Sequence, residues 1–328
     1  MASEISAKLA LISALAILAV APALAQAPSP LAGKQMRFIV PFPAGGTLDV
    51  LARTVSNELG PALGTTIVVE NRPGASGVIG ADLVARAPAD GTTLVIISNT
   101  FVTLPAMLPS LPFDIFKNFA PVIELGGTPT LLTVHPSIPA RDLKQFIEYA
   151  RQAKGGVSYN SPGIASPPHL AGELFARAAN VPMVHVPYRG TQPAVTDLVS
   201  GQMPVSMAPL NAVLQFVNDK RLFGIALTDA ARTKYLPDIA TLHELGITNM
   251  PAVTSWFAVL TTGGTPPDLV ARLNSEIDKI LHDPKVQKSL ESQTFEIKGG
   301  SSEALATRMR EDATTNAKVV ADANIKAQ

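Results

Sequence analysis

The chain lacks cysteine altogether and has a single tryptophan among its 328 residues. Without cysteine there can be no disulfide bond, no thiolate metal site and no lipoprotein anchor, so stability has to come from the core. Neither sign of charge is in excess, because 26 Lys and Arg balance 26 Asp and Glu, and no long basic run occurs. Nucleic acid is therefore not expected as a partner.

Long apolar runs are also lacking, except for one at the start of the chain. Residues 9–21 are apolar apart from one serine, follow the basic Lys8 and precede the small-x-small pattern Ala23-Leu24-Ala25. We interpret residues 1–25 as a cleaved secretory signal peptide and residues 26–34 as a flexible leader. A membrane anchor is the alternative, but the run is short for a span. Export of a cysteine-free chain predicts a periplasmic protein, and we expect a monomer.

Strand and helix patterns alternate through the remainder of the chain. This rhythm is typical of parallel sheets with helical crossovers, so the sequence predicts an α/β fold. The first helix is expected to stop at Gly60, where its apolar face ends. Periodicity and turn residues predict strands at 36–41, 66–70, 93–97, 130–136, 156–160, 183–188, 204–208, 223–227 and 255–261, and helices at 48–59, 81–87, 140–153, 168–179, 191–201, 267–282 and 302–323.

The length of the chain and the position of its last elements predict two lobes. A second unit begins near Leu131, and the segment after Pro251 is too short to form a third domain. We therefore expect one lobe from residues 35–130 and 252–328 and another from residues 131–251. Two crossings, near residues 130 and 252, would join them.

The first strand-to-helix turn, "PFPAGGTLD", is rich in bare backbone. A helix N-terminus favours anions, and Gly45 and Gly46 let a ligand approach the backbone closely. The turn has neither a Gly-Lys-Ser/Thr ending nor the G-x-G-x-x-G spacing, so a nucleotide loop is excluded. It is a candidate carboxylate cradle, or else a turn that needs glycine for its conformation alone. Asp49 is expected to steady the helix start, and Arg53 to be solvated or ion-paired.

Two later turns have related chemistry. In "YNSPGIASPPHLAGELF", Ser166 suits an N-cap and Pro167 the first helical position. Ser161, Gly163 and Ser166 could donate hydrogen bonds to an anion, while His169 more plausibly holds the helix start. In "VPYRGTQPA", Tyr188, Arg189 and the amides of Gly190 and Thr191 are further candidates.

Catalytic and metal-binding patterns are missing. No G-x-S-x-G elbow occurs, and the five histidines show no H-x-x-x-H spacing. A hydrolase using Ser161 or Ser166 with His169 is a remote alternative, since His169 lies only three residues beyond Ser166 and no orienting acid is evident. We expect no enzyme activity, no cofactor and no metal.

Five segments in this order resemble one family, the Bug receptors of tripartite tricarboxylate transporters. The resemblance covers about residues 34–325, and five such segments behind a signal peptide are highly specific. They are "IVPFPAGGTLDVLAR", "VVENRPGASGVIGADLVARAPADGTTL", "YNSPGIASPPHLAGELF", "VPYRGTQPAVTDLVSGQ" and "GTPPDLVARLNSEI".

The resemblance implies a type II periplasmic-binding-protein fold, each lobe a mostly parallel sheet flanked by helices. It implies a receptor that holds a small carboxylate, a di- or tricarboxylate before an aromatic acid, through backbone amides and water, and delivers it to a membrane permease. A periplasmic sensor that reports to a membrane kinase would look alike. Carried over, the implied contacts are Phe42, Ala44, Gly45, Gly46 and Thr47, facing Ser161, Gly163, Ala165, Ser166 and His169, with Tyr188, Arg189 and Gly190 beside them.

The chain departs from the family pattern in two places. Pro167 and Pro168 stand just before His169 and each removes an N–H donor, so the second loop must bind with fewer amides or through water. The strand around Ala208 lacks the acid often found there, which favours a ligand without an ammonium group. Met207 and Asn211 then line an apolar or neutral distal pocket, or are ordinary core.

Overall fold

The computed structural model describes residues 31–108, 110–164, 166–322 and 325. The predicted signal peptide and residues 26–30 of the predicted leader lie outside these ranges. The last leader residues are packed: Leu31 is fully buried in the core, and the Gly33 amide donates to Gly64 O at 2.9 Å. Residues 31–34 therefore differ from the flexible leader that the sequence predicts, because Leu31 removes apolar surface from water.

The described residues contain two sheets and the helices that cover them. The strands are β1 (Gln35–Val40), β2 (Thr66–Asn71), β3 (Thr93–Ser98), β4 (Phe119–Thr128), β5 (Thr130–Val134), β6 (Val157–Ser161), β7 (Met183–Pro187), β8 (Val205–Pro209), β9 (Phe223–Leu227), β10 (Ser255–Thr262) and β11 (Glu296–Ile297). The α-helices are α1 (Thr47–Leu63), α2 (Val78–Ala85), α3 (Thr100–Met107), α4 (Leu143–Gln152), α5 (Pro167–Ala178), α6 (Thr191–Val199), α7 (Leu210–Asn218), α8 (Pro267–Leu281), α9 (Pro284–Glu291) and α10 (Ser302–Asp322).

The first sheet has the strand order β11-β4-β10-β3-β1-β2 and is covered on both faces. On one face α1 and α8 each bury an apolar stripe, so that Leu59 and Ile277 lie in the same cluster as Phe38. On the other face α3 and α10 bury residues such as Phe101 and Met309. Burial on both faces of the sheet explains why residues 94–97 of β3 form a continuous apolar run.

The second sheet has the order β7-β6-β8-β5-β9 and is covered in the same way. Phe146 of α4 and Phe175 of α5 pack on one face, with ring centroids 6.0 Å apart. Leu198 of α6 and Val213 of α7 pack on the other. Each sheet therefore has its own two-sided core.

The expected two-sheet α/β fold is confirmed, but neither sheet is purely parallel. In the first sheet β10 runs antiparallel between β3 and β4, and in the second β5 runs antiparallel between β8 and β9. These inserted strands are the ones that follow the passages between the sheets, at Thr128–Thr130 and Thr254–Ser255. The lobe limits of 35–130 with 252–328, and 131–251, stay a prediction that agrees with this arrangement.

A buried polar cluster occupies the two passages. The Thr130 amide donates to Asp229 Oδ2 at 2.9 Å, and Thr228 Oγ1 donates to Val253 O at 2.7 Å. Thr130 Oγ1 and Ser255 Oγ lie 3.4 Å apart. Burial raises the pKa of Asp229 to about 7, against the opposing effect of its hydrogen bonds.

Several elements differ from the predicted ones. Helix α1 continues through Gly60 and Pro61 to Leu63 and ends at Gly64, whose φ of 65° is the left-handed conformation that favours glycine. Helices α3, α7 and α9 and strands β4 and β11 were not predicted. Helix α3 has the sequence "TFVTLPAM", in which β-branched residues and an internal proline hide the helical pattern.

Candidate functional site

The loops of interest lie at the carboxyl ends of the parallel strands. Strands β1, β2 and β3 run parallel, as do β6, β7 and β8. The end of β3 is fixed by Ser98, which pairs with Phe257, and the end of β8 by Pro209, which pairs with Thr130. Both edges therefore point towards the passages between the sheets, which is where ligands bind in open α/β sheets.

The first loop leads into an uncapped helix. Gly46 is the N-cap of α1 in an extended conformation (φ −80°, ψ 171°) and no side chain caps the helix. The first amides of a helix have no partner within it, so those of Thr47 and Leu48 are available donors with a favourable dipole. Ala44 and Gly46 are exposed, while Phe42 and Thr47 are partly buried.

Asp49 organises this loop from beneath. Asp49 Oδ2 accepts from the Gly45 amide at 3.0 Å and Asp49 Oδ1 accepts from Asn71 Nδ2 at 2.9 Å. Asn71 also donates to Phe42 O at 3.2 Å, and Arg53 pairs with the same carboxylate. Burial alone would raise the pKa of Asp49, but the hydrogen bonds from Arg53, Gly45 and Asn71 lower it.

Two interpretations of the first loop are settled by this network. Asp49 steadies the helix start and Arg53 is ion-paired, as predicted. The Gly45 amide donates to Asp49, and the expected contact of Gly45 with a ligand stays a prediction. Gly45 has φ 84°, so its place in the loop follows from its backbone conformation.

The serine hydroxyls of the second loop, which follows β6, form hydrogen bonds within the loop. Ser166 caps α5 and Pro167 is its first residue, as predicted. Ser166 Oγ donates to Gly163 O at 2.7 Å, and Ser161 Oγ lies 3.0 Å from the same oxygen. Ala165, the remaining candidate here, lies outside the described residues.

The N-terminus of α5 has little left to offer an anion. Pro167 and Pro168 have no N–H, and the His169 amide donates to Ser166 Oγ at 3.4 Å. The expectation that this loop binds with fewer amides is consistent with these contacts. Any anion held here would have to use the loop itself or its neighbours.

His169 lies beneath the second loop, only 5 % exposed. Its ring stacks on that of His185 with centroids 3.6 Å apart and planes 12° from parallel. Burial, with a smaller contribution from His185, lowers the pKa of His169 to about 3, and burial lowers the pKa of His185 to about 4. The predicted structural role of His169 agrees with this position, and its contact with a ligand stays a prediction.

Sequence reasoning missed His185, which lies on β7. Its Nε2 is 2.7 Å from Ser161 Oγ, a serine–histidine contact unlike the pairs that the sequence suggested. Ser161 is fully buried, so this pair is not open to a substrate. The period-two pattern of β7 places His185 on one face of the sheet, in register with Tyr159 of β6, but that pattern gives no sign of a bond to Ser161.

The third loop is tied to the second. The Tyr188 amide donates to Ser161 O at 3.1 Å, and the Gly190 amide donates to Pro162 O at 2.9 Å. Tyr188 OH donates to Asp197 Oδ2 at 2.6 Å, and burial with this bond raises the pKa of Tyr188 to about 12. These contacts leave Arg189 as the exposed group of the loop.

The two residues expected in a distal pocket are separated. Met207 is fully buried, pairs with Leu132 and belongs to the core, which agrees with the ordinary-core alternative, and its contact with a ligand stays a prediction. Its side chain points into the layer between the sheet and its helices because successive strand residues face opposite sides. Asn211 is exposed in the first turn of α7.

A cavity on the first sheet adds residues that sequence reasoning did not select. It lies behind Phe42, at the ends of β1 and β3, and no charged side chain lines it. Ser76 in this lining has φ 54°, a conformation that a non-glycine residue rarely adopts. The lining residues are Pro41, Phe42, Ser76, Gly77, Ile97, Ser98, Thr100 and Phe101.

Within the ranges that the structure describes, no helix is both long enough and apolar enough to cross a membrane.

Comparison with known proteins places the chain in a family. The family model of the tripartite tricarboxylate transporter family receptor, TctC, matches residues 51–325. Protein BugT of Bordetella pertussis is 32% identical over 262 residues, which cover 79% of this chain and 80% of BugT.

Two solved structures with bound ligands share the fold. Rpa4515 of R. palustris with adipate has a TM-score of 0.80 and 30% identity, and the match covers 90% of this chain and 99% of that chain. MatC of Rhodopseudomonas palustris with bound malate has a TM-score of 0.77 and 27% identity, over 88% and 99% of the two chains. The family consists of periplasmic solute-binding receptors, not enzymes. The chain therefore belongs to the TctC family of tripartite tricarboxylate transporter receptors, to which its likeness to the Bug proteins had pointed.

Proposed function

We propose that this protein is a periplasmic receptor for a small dicarboxylate or tricarboxylate, which it delivers to a tripartite tricarboxylate-type permease. The observation that carries the proposal is the uncapped start of α1 behind Gly46, with free amides at the edge facing the passages between the sheets. Rpa4515 and MatC, which share the fold, were solved with adipate and malate, both dicarboxylates.

The contacts assign roles within the site. One carboxylate would lie on the amides of Thr47 and Leu48, flanked by Phe42 and Ala44. Arg189, exposed at the edge of the other sheet, would face the second carboxylate, and its guanidinium makes no hydrogen bond or ion pair with any residue that the structure describes. The loops after β6 and β7 would then close over the first loop by rotation about the two passages.

The route to the periplasm belongs to the same proposal. Residues 1–25 would direct export and be removed, and the two lobes would act as a monomer. Delivery to a permease distinguishes this receptor from a sensor. Deletion of the gene should abolish uptake of the ligand, whereas loss of transcriptional induction with intact uptake would favour a sensor.

The first test is a thermal-shift screen of the mature protein with malate, adipate, citrate, benzoate and aspartate. A ligand that binds only the folded state at one hundred times its Kd stabilises it by about 2.7 kcal/mol, which is easily measured. We expect the di- and tricarboxylates to raise the Tm. No shift with any of these acids would contradict the proposed ligand class.

The second test is the Gly46→Val variant. The φ of −80° suits any residue, and a Cβ would meet only Pro43 O at 3.7 Å, so the fold should be unchanged. The branched side chain would cover the amides of α1, and binding measured by calorimetry should be lost. Ala89→Val, at an exposed position of the same lobe, is the control, and unchanged affinity in Gly46→Val would refute the amide cradle.

A further inference from the structure

The Ser161 hydroxyl is the point at which three elements meet. Ser161 Oγ lies 2.7 Å from His185 Nε2 and 3.0 Å from Gly163 O, and it accepts from the Gly163 amide at 3.3 Å. Ser166 Oγ is 3.5 Å away. The hydroxyl thus joins strand β7 to residues 161–164 and Ser166, which we call the serine loop.

The His185 ring, which contacts the Ser161 hydroxyl, is fixed by two neighbouring rings. Its ring lies flat on His169, the third residue of α5, whose amide donates to the capping residue Ser166. Its other neighbour is Tyr159, with ring centroids 5.1 Å apart. His185 therefore has little freedom to turn its Nε2 away from Ser161.

Burial favours the uncharged form of both rings. Elements β6 and α5 pack against β7, and the titratable groups they bring to the pair are Tyr159 and Glu173. Glu173 Oε1 lies 3.8 Å from His169 Nε2 and accepts from Tyr159 OH at 2.9 Å. Burial keeps the pKa of both histidines low, so at neutral pH His185 Nε2 meets Ser161 as part of a neutral imidazole.

The hydrogen bond between Ser161 and His185 matters to the serine loop because the following helix start offers few amides. Pro167 and Pro168 remove two amides that could otherwise fix the loop or bind an anion. Hydroxyl contacts among Ser161, Gly163 and Ser166 take their place, and the His185 ring holds the Ser161 hydroxyl from outside the loop, beside the backbone bonds from Tyr188 and Gly190.

We propose that His185 is a positioning residue for ligand binding: its Nε2 holds Ser161 Oγ and thereby fixes the serine loop in the conformation that closes on the ligand. This inference rests on the proposed function, because the serine loop is one side of the proposed site. His185 itself lies below the loop and contacts no ligand.

Two variants of similar size distinguish the effect of the hydrogen bond to Ser161 from the effect of losing the imidazole ring. His185→Gln places its amide group near the position of Nε2 and can keep the bond to Ser161. His185→Asn places its amide near Nδ1 and leaves Ser161 without that partner. The control is His243→Asn, which removes an imidazole contact of equal length, 2.7 Å from Nε2 to Met250 O, elsewhere on the protein.

The readouts are the Kd of malate and of adipate by calorimetry, the Tm, and hydrogen exchange of the serine-loop amides. We expect His185→Asn to weaken binding about tenfold and to speed exchange in the serine loop. We expect His185→Gln to restore most of both, and His243→Asn to change neither. Equal binding in His185→Asn and the wild type, or equal losses in Asn and Gln, would overturn the proposal.

A double-variant cycle still tests the proposal if the single variants are less stable than the wild type. If His185 acts through Ser161, then Ser161→Ala with His185→Asn should bind no more weakly than Ser161→Ala alone. Additive losses would show that His185 acts by another route. If the wild type binds neither probe, the proposed function fails, while the exchange rates still decide whether His185 fixes the loop.

Discussion

Replacing Asp229 with asparagine should make the protein more stable in neutral and alkaline solution. Asp229 is buried where the chain passes between the sheets, and its Oδ2 accepts from the Thr130 amide. Burial is the main cause that raises its pKa from 3.8 to about 7, and Glu296 adds to it while Arg308 opposes it. Asparagine keeps an acceptor for Thr130 but cannot be charged.

Proton linkage gives the direction and the size of the effect of Asp229 on the free energy of unfolding. The folded state keeps a proton on Asp229 that the unfolded chain has lost, so stability falls as pH rises from about 4 to about 7. One pKa unit corresponds to about 1.4 kcal/mol, which gives a total loss of about 4 kcal/mol above the folded pKa. The Asp229→Asn variant lacks this loss, so it should match the wild type at pH 4 and exceed its stability at pH 8.

The assay is urea unfolding between pH 4 and pH 8, followed by the fluorescence of the single tryptophan. The matched control is Asp238→Asn, since Asp238 lies in the same segment but is exposed. The difference between wild type and Asp229→Asn should grow with pH, and that for Asp238→Asn should stay constant. Parallel stability curves for wild type and Asp229→Asn would refute the reasoning.

Two further predictions concern binding and the core. Arg189→Gln should weaken malate binding roughly fivefold, because an exposed ion pair contributes about 1 kcal/mol. The control is Arg221→Gln, at the opposite edge of the same sheet, which should leave the Kd of malate unchanged. Equal Kd values for the wild type and both variants would contradict the role of Arg189. Asp312→Asn should lower the free energy of unfolding by roughly 2 kcal/mol and shift the tryptophan emission, because Trp256 Nε1 donates to that carboxylate at 2.6 Å. Glu311→Gln, next in sequence and exposed, is its control, and an unchanged emission spectrum would contradict the prediction.

Much of the architecture could be read from local pattern. Strands such as β3 and β9 are largely apolar runs between turn residues, and the start of α5 has the serine and proline that mark a helix N-terminus. The role of Asp49 was also predictable, since an acid in the first turn suits the helix dipole. Strand β4 and helix α3 were missed because their apolar residues have no clear period of two or 3.6.

The amino-acid sequence by itself determined most of the segments that form strands and helices, where the glycine and serine turns fall, and the family that those turns resemble. Only the tertiary structure decided how the turns are tied to one another: Ser161 O accepts from the Tyr188 amide, and Pro162 O accepts from the Gly190 amide. The tertiary structure also places the Met207 side chain in the core and stacks the ring of His185 on that of His169. The physical reason is that conformation depends on near neighbours in the chain, whereas burial and hydrogen-bond partners depend on packing between segments far apart in sequence.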